Sequence, residues 1–177
     1  QFQAILKEVS EELKVFFQTK NDCFILASSG TGAMEAAVVN LLSWGDKALV
    51  IEGGKFGERW TELCEAYGIK PSVVRVEWGR ALEPQVLKDY LAKEPAIKVV
   101  FATLCETSTG VTFDIKTMGQ IVKETEAVLV VDAISGLGVQ EIKTDAWHCD
   151  VVVSASHKGL MLPPGLGFIS VSPKAGK

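Results

Sequence analysis

Two patterns of apolar and polar positions alternate along the chain. Short continuous apolar runs such as residues 128–131 are typical of strands that are covered on both faces. The pattern predicts strands at 23–27, 47–51, 72–76, 98–103, 127–131, 150–154 and 166–171. Helical spacing predicts helices at 34–42, with a start near Gly30, and at 58–67, 84–93 and 115–125. An opening helix is predicted from the spacing of Phe2, Ile5, Leu6, Val9, Leu13, Phe16 and Phe17.

The alternation of strand and helix predicts the fold class. It indicates an α/β protein, a three-layer α/β/α sandwich around a mostly parallel mixed sheet. No repeat, low-complexity stretch or interdomain linker divides the sequence, so residues 1–177 are expected to form one domain. In open sheets of this kind ligands bind beyond the carboxyl ends of the strands, and the chemistry is expected there.

The composition narrows the function classes. With 177 residues, 47% of them hydrophobic and 23% charged, the chain is typical of a globular domain with a substantial core. A net charge of −4 argues against nucleic acid and against an anionic membrane as partners. No apolar run approaches the ~20 residues that span a bilayer. The four cysteines are widely spaced without a CxxC, which argues against a metal site and predicts reduced thiols in a cytoplasmic protein.

A lysine and an aspartate that follow buried strands are the leading catalytic candidates. Lys158 follows the apolar run 151–153 and lies among small and hydroxyl residues, where a desolvated amine can attack a carbonyl. Asp132 ends the run 128–131, and its alternative role is that of a helix cap. Together they match the needs of pyridoxal phosphate, which requires one partner for its ring nitrogen and one for its aldehyde.

Residues 28–32 follow a predicted strand and open a helix with serines, glycines and a threonine. Ser29, Gly30 and Thr31 would offer N–H and hydroxyl donors to a phosphate, although a plain Ser/Thr helix cap explains the same residues. The segment lacks the Gly-Lys-Ser/Thr of a P-loop. Thr107 follows the strand at 98–103 and places another hydroxyl at the same edge.

Two further residues are candidates for contact with the cofactor. Phe56 follows a Gly-Gly turn and could stack on a planar ring, with core packing as the alternative. His157 adjoins Lys158 and is either a phosphate contact or a structural histidine.

With these residues in view, the chain resembles the large domain of fold-type I pyridoxal-phosphate enzymes, and most closely class V aminotransferases of the serine–pyruvate and alanine–glyoxylate type. The matching stretches are SGTGAMEAA (29–37), ETSTG (106–110), VVDAIS (130–135), SASHKG (154–159) and PPG (163–165). They follow the family's order and span essentially the whole chain. The family often has histidine at Thr31, tryptophan, phenylalanine or tyrosine at Phe56 and glutamine at His157.

The resemblance implies a role for each candidate. Lys158 would be the Schiff-base lysine and the proton shuttle, and Asp132 would pair with the pyridine nitrogen. The phosphate would be held by Ser29, Gly30 and Thr31, with His157 reaching it. The remaining contacts with the cofactor ring would come from Thr107, Phe56 and, on the face opposite the stacking residue, Ile134.

The resemblance also implies an activity and an assembly. The protein would be a homodimer that moves an amino group from a small amino acid, serine or alanine, to a 2-oxo acid such as glyoxylate or pyruvate. Residues 1–177 would be the large domain, without the N-terminal arm and without the C-terminal domain whose arginine grips the substrate carboxylate. The location would be cytoplasmic, or peroxisomal or mitochondrial in a eukaryote.

Two alternatives remain open at this point. Cysteine desulfurases and related lyases share the large domain but need a reactive cysteine, for which Cys105 and Cys149 are weak candidates. A non-catalytic phosphate-binding α/β module is the other alternative, although no G-x-G-x-x-G follows the first strand.

Overall fold

A computed structural model of the chain describes residues 1–176. Its helices are α1 (Phe2–Phe17), α2 (Gly30–Leu41), α3 (Lys55–Ala66), α4 (Pro84–Lys93) and α5 (Ile115–Lys123). Its strands are β1 (Asp22–Ala27), β2 (Lys47–Glu52), β3 (Ser72–Arg75), β4 (Ile97–Thr103), β5 (Cys105–Glu106), β6 (Val111–Thr112), β7 (Val128–Asp132), β8 (Val151–Ala155) and β9 (Leu166–Val171). None of the helices in this part of the chain has the length and apolar character that crossing a bilayer requires.

The main sheet has seven strands in the order β1-β9-β8-β7-β4-β2-β3. Strands β3, β2, β4, β7 and β8 pair in parallel, whereas β9 is antiparallel to both of its neighbours. The predicted mixed and mostly parallel sheet is therefore confirmed. A small β5–β6 hairpin lies beside the main sheet and was not predicted, because its strands are only two residues long each.

Helices cover both faces of the sheet, as the continuous apolar strands predicted. Alternate side chains of each strand enter opposite layers, since successive residues of a strand point to opposite faces. One core cluster joins the sheet to α1, α4 and α5, and the other joins it to α2 and α3. In the second cluster the fully buried Trp60 stacks on Phe101 with ring centroids 4.6 Å apart. The three-layer sandwich is thus the observed architecture.

The direction of the strands fixes the place where the loops meet. β1 is antiparallel to β9 and β9 is antiparallel to β8, so β1 runs in the same direction as the parallel strands. The segments that follow β1, β2, β4, β7 and β8 therefore leave the sheet at one edge. The residues expected to contact the cofactor lie in these segments, except Asp132, which is the last residue of β7.

At the opposite edge, Asp150 joins strand β7 to the segment after β9. Its carboxylate accepts hydrogen bonds from the Leu129 N–H at 3.0 Å and from the Ser172 hydroxyl at 2.9 Å. The Lys174 ammonium lies 3.9 Å from the same carboxylate. These contacts bring strand ends together far from the candidate residues.

We expect Asp150→Ala to lower the free energy of unfolding by about 1–3 kcal/mol, because the Leu129 N–H loses its acceptor. The measurement is urea unfolding, with Asp89→Ala on the exposed face of α4 as the matched control, expected within about 0.5 kcal/mol of the parent. Equal stability of the two variants would contradict the role given to Asp150.

Candidate active site

The first turn of α2 lies at the carboxyl edge of the sheet and packs against the loop after β7. Ser29 is the N-cap, and its hydroxyl oxygen accepts a hydrogen bond from the Gly32 N–H at 3.2 Å. Gly30 is buried, and a Cβ atom there would lie 2.6 Å from Ile134 Cδ1, so a larger residue would displace the Ile134 side chain. The Ser/Thr cap considered above is therefore present, but an accepting hydroxyl can still donate its own proton to an anion.

The backbone of this turn is suited to an anion. The first N–H groups of a helix have no partner within the helix, and the helix dipole places partial positive charge there. The loop before the turn is itself tied to the segment after β8, because the Ser28 N–H donates to the Gly165 carbonyl at 3.0 Å. Two of the motifs that carried the family resemblance are thus neighbours in space.

Asp132 is a buried carboxylate at the end of β7, with 4% of its surface exposed. Its Oδ1 atom accepts a hydrogen bond from the Ile134 N–H at 2.8 Å. The pKa of Asp132 is raised to about 7, mainly by burial and also by the negative charge of Glu106, against the lowering effects of the Ile134 hydrogen bond and of the charges of Arg59 and Lys158. A donor or cation that met the carboxylate here would stabilise its ionised form.

Lys158 lies in the turn after β8 and is exposed, so the expectation of a desolvated lysine is wrong for the described chain. The turn leaves the sheet edge and carries the side chain away from the core. The loop itself is held firmly: the Ser156 hydroxyl donates to the Pro163 carbonyl at 2.6 Å, and the Leu162 N–H donates to the Ser156 carbonyl at 3.0 Å. Lys158 is therefore an exposed amine on a hydrogen-bonded loop, and its positive charge acts on Asp132.

His157 is half-buried beside Lys158, and its Nδ1 atom is a polar group without a protein partner. In residues 1–176 this nitrogen is buried and makes no hydrogen bond. A buried polar atom normally has a partner, so an orphaned one at this edge is consistent with a ligand contact.

Thr107 and the loop after β7 are joined by hydroxyl groups. The Thr107 hydroxyl donates to Ser135 Oγ at 2.9 Å, and the Ser135 hydroxyl donates to the Cys105 carbonyl at 3.1 Å. Thr107 is exposed, so its hydroxyl oxygen can also accept from a ligand.

Phe56 lies in the first turn of α3 and is half-buried, beside an arginine that the sequence analysis missed. The Arg59 guanidinium lies 5.0 Å from the Phe56 ring centroid, and its Nη1 atom donates to the Thr31 hydroxyl at 3.3 Å. The spacing of three residues could not suggest the contact with Phe56, because the predicted helix began at Glu58 and the observed one begins at Lys55. The contact with Thr31 depends on the packing of α2 against α3, which the sequence does not reveal.

Glu106 is a second residue that sequence reasoning missed, although it belongs to a quoted motif. It is fully buried, and its carboxylate accepts hydrogen bonds from the N–H groups of Phe56 and Gly57 at the start of α3. These partners lie about fifty residues earlier in the chain, so no local signal indicates them. This contact explains why α3 begins at Lys55 and not at Glu58.

The site therefore holds three parts at one edge: a helix N-terminus, a buried carboxylate and a primary amine. These parts correspond to the phosphate, the ring nitrogen and the aldehyde of pyridoxal phosphate, so the donor set fits the cofactor. In the described part of the chain, no group of three or more His, Cys, Asp or Glu side chains is placed to hold a metal ion.

Comparison with known proteins agrees with this fit. The model of the aminotransferase class-V family matches residues 1–177. The serine–glyoxylate aminotransferase of Hyphomicrobium methylovorum is 42% identical over 93% of this chain and 42% of that protein. A protein of Anabaena cylindrica named soluble hydrogenase 42 kDa subunit is 46% identical over 99% of this chain and 46% of its own length.

A solved structure is similar throughout the chain. The alanine–glyoxylate aminotransferase from Nostoc sp. superposes with a TM-score of 0.94 at 30% identity, covering 98% of this chain and 46% of that one. The chain spans less than half the length of the curated relatives it matches. The fold and the family that the motifs suggested are confirmed. The chain belongs to the class-V aminotransferase family, whose members are fold-type I enzymes that depend on pyridoxal phosphate.

Proposed function

We propose that this chain is the cofactor-binding large domain of an aminotransferase. In the proposed reaction, a small amino acid such as serine or alanine gives its amino group to a 2-oxo acid such as glyoxylate or pyruvate. The observation that carries the proposal is the buried carboxylate of Asp132 at the same sheet edge as the Lys158 amine and the N-terminus of α2. The relatives named above support glyoxylate as the acceptor, since both aminotransferase names contain it.

Pyridoxal phosphate, when bound, supplies an aldehyde that joins amines covalently and a protonated ring that accepts electrons from the substrate carbon. Asp132 would hold the proton on the ring nitrogen through its carboxylate, and the N–H groups at Gly30 and Thr31 would bind the phosphate oxygens. Phe56 and Ile134 would contact opposite faces of the ring and keep water from them.

Lys158 would have two tasks in the proposed mechanism. Its amine would hold the cofactor through the aldehyde. When not so bound, the amine would be the general base for the proton on the α-carbon of the donor and would carry that proton. General base catalysis of this kind typically contributes ~10²–10⁴ in rate. The exposure of Lys158 allows the side chain to move between these positions.

Cys149 gives the cysteine desulfurase alternative no support. Burial raises the pKa of the Cys149 thiol to about 12, so it stays protonated and is a poor nucleophile. We retain the homodimer as part of the proposal, by analogy with the family, and the mass of the intact protein in solution would test it.

The proposed anchor predicts a covalent adduct at one lysine. Borohydride reduction of the intact protein with pyridoxal phosphate should fix the cofactor on the peptide that contains Lys158. Lys158→Ala and Lys158→Arg should lose both the adduct and the visible absorbance of the bound cofactor, because neither side chain can form the bond. Lys88→Ala on α4 is the control and should keep both. An unchanged spectrum of Lys158→Ala after dialysis would rule out the proposed anchor.

The burial of Asp132 predicts that the free energy of unfolding of the cofactor-free chain depends on pH. The pKa of Asp132 is 3.8 when unperturbed and about 7 in the folded chain. Between these values the folded state retains a proton that the unfolded state has lost, so the free energy of unfolding falls as pH rises. Asp132→Asn removes this fall, and we expect it to be more stable than the parent near pH 8 by on the order of 1–4 kcal/mol.

Urea unfolding near pH 4 and pH 8 without cofactor measures this difference. The same variant should bind pyridoxal phosphate about tenfold more weakly or worse, since a charge-assisted hydrogen bond is lost. A variant that is less stable than the parent near pH 8 and has unchanged cofactor affinity would show that Asp132 is only a structural cap.

A further inference from the structure

Glu106 is a buried charge whose compensation comes from hydrogen bonds alone. In residues 1–176 no cationic side chain lies within ion-pair distance of it. Its Oε2 atom accepts from the N–H groups of Phe56 at 3.1 Å and Gly57 at 2.9 Å. Its Oε1 atom accepts from the Ser108 hydroxyl at 2.7 Å and from the Ser108 N–H at 3.2 Å. Every partner is a donor, which matches an ionised carboxylate.

The carboxylate takes the place of an N-cap for α3. The N-cap residue Gly54 offers no side chain, so the first N–H groups of the helix are satisfied by a side chain from β5. The helix dipole stabilises a negative charge at this position. Gly54 is required for the approach, because a Cβ atom there would lie 2.7 Å from Glu106 Cγ and Cδ.

The cap also joins two sides of the site into one unit. Glu106 accepts a hydrogen bond from the backbone N–H of Phe56, so it fixes the backbone from which the Phe56 ring extends. On the other side, the Ser108 hydroxyl oxygen accepts from the Lys55 N–H at 3.0 Å. The turn that carries Thr107 is therefore hydrogen-bonded to the first turn of α3.

We propose that Glu106 is a positioning residue for the cofactor: its carboxylate fixes the Phe56 ring in the place where it can stack on the planar ring of pyridoxal phosphate. The inference rests on the proposed function, because it assigns Phe56 to one face of that cofactor.

A direct electrostatic role toward the ring nitrogen is less consistent with the structure. The negative charge of Glu106 raises the pKa of Asp132 and so opposes the ionised form that the ring nitrogen needs, as burial does. Glu106 therefore makes the ionised form of Asp132 less favourable, and what it stabilises is the position of Phe56.

A double-mutant cycle in the intact protein tests this inference. The four proteins are the parent, Glu106→Gln, Phe56→Leu and the double variant, and the readouts are the dissociation constant of pyridoxal phosphate and the induced circular dichroism of the bound cofactor. Each single substitution should weaken binding about tenfold, the value of one lost aromatic stack. The double variant should bind no more than about twofold more weakly than Phe56→Leu alone, because Glu106 acts through Phe56.

Amide hydrogen exchange without cofactor provides an independent readout. The Phe56 and Gly57 amides should exchange faster in Glu106→Gln, while the later turns of α3 stay protected. The side-chain amide of glutamine has one accepting oxygen, so it cannot accept both from these amides and from Ser108. Glu62→Gln, on the exposed surface of the same helix, is the matched control and should change neither exchange nor affinity. If Glu106→Gln does not fold, Ser108→Ala keeps the carboxylate and should weaken binding in the same direction by a smaller factor.

The outcomes separate the two proposals. Additive losses of affinity in the cycle, or unchanged exchange at Phe56 and Gly57, would overturn the role proposed for Glu106. If the parent protein still forms a borohydride adduct at Lys158, the proposed function is unaffected by that result. Absence of that adduct in the parent protein would overturn both.

Discussion

The burial of a carboxylate at the end of a parallel strand is the constraint on which the rest of this site depends. Asp132 is 4% exposed, and burial raises its pKa to about 7, so the ionised form is costly in the chain by itself. A ligand that donates a hydrogen bond to the Asp132 carboxylate stabilises the ionised form. The strand directions bring a helix N-terminus and a lysine to the same edge, and the binding energy of a charged heterocycle can offset the cost.

The layers and the sheet could be predicted because their signals are local. Continuous apolar runs such as 128–131 identify strands that are buried on both faces, and helical spacing between them requires helices in both layers. Every long strand was predicted within two residues at each end. The β5–β6 hairpin was missed because two-residue strands have no periodicity, and α3 begins earlier than predicted because its cap comes from another part of the chain.

The site was predictable where its residues follow strands and unpredictable where it depends on packing. Asp132, Ser29 and Lys158 could be placed at one edge because each ends or follows a strand of a mostly parallel sheet, and the structure has them there. Glu106 and Arg59 were missed, because their partners are distant in sequence and the contacts exist only after α2, α3 and the hairpin have packed. The solvent exposure of Lys158 was predicted wrongly, since hydroxyl and small neighbours in sequence do not bury a side chain that leaves the sheet edge in a turn.

The central claim is that one small heterocycle lies between Asp132 and Lys158. A crystal structure of the intact protein with pyridoxal phosphate tests it most directly. The account predicts continuous density from Lys158 Nζ to the aldehyde carbon, with the ring nitrogen within hydrogen-bond distance of the Asp132 carboxylate and the phosphate at the first turn of α2. A cofactor bound elsewhere, or bound at Lys158 with its ring nitrogen away from Asp132, would contradict the account.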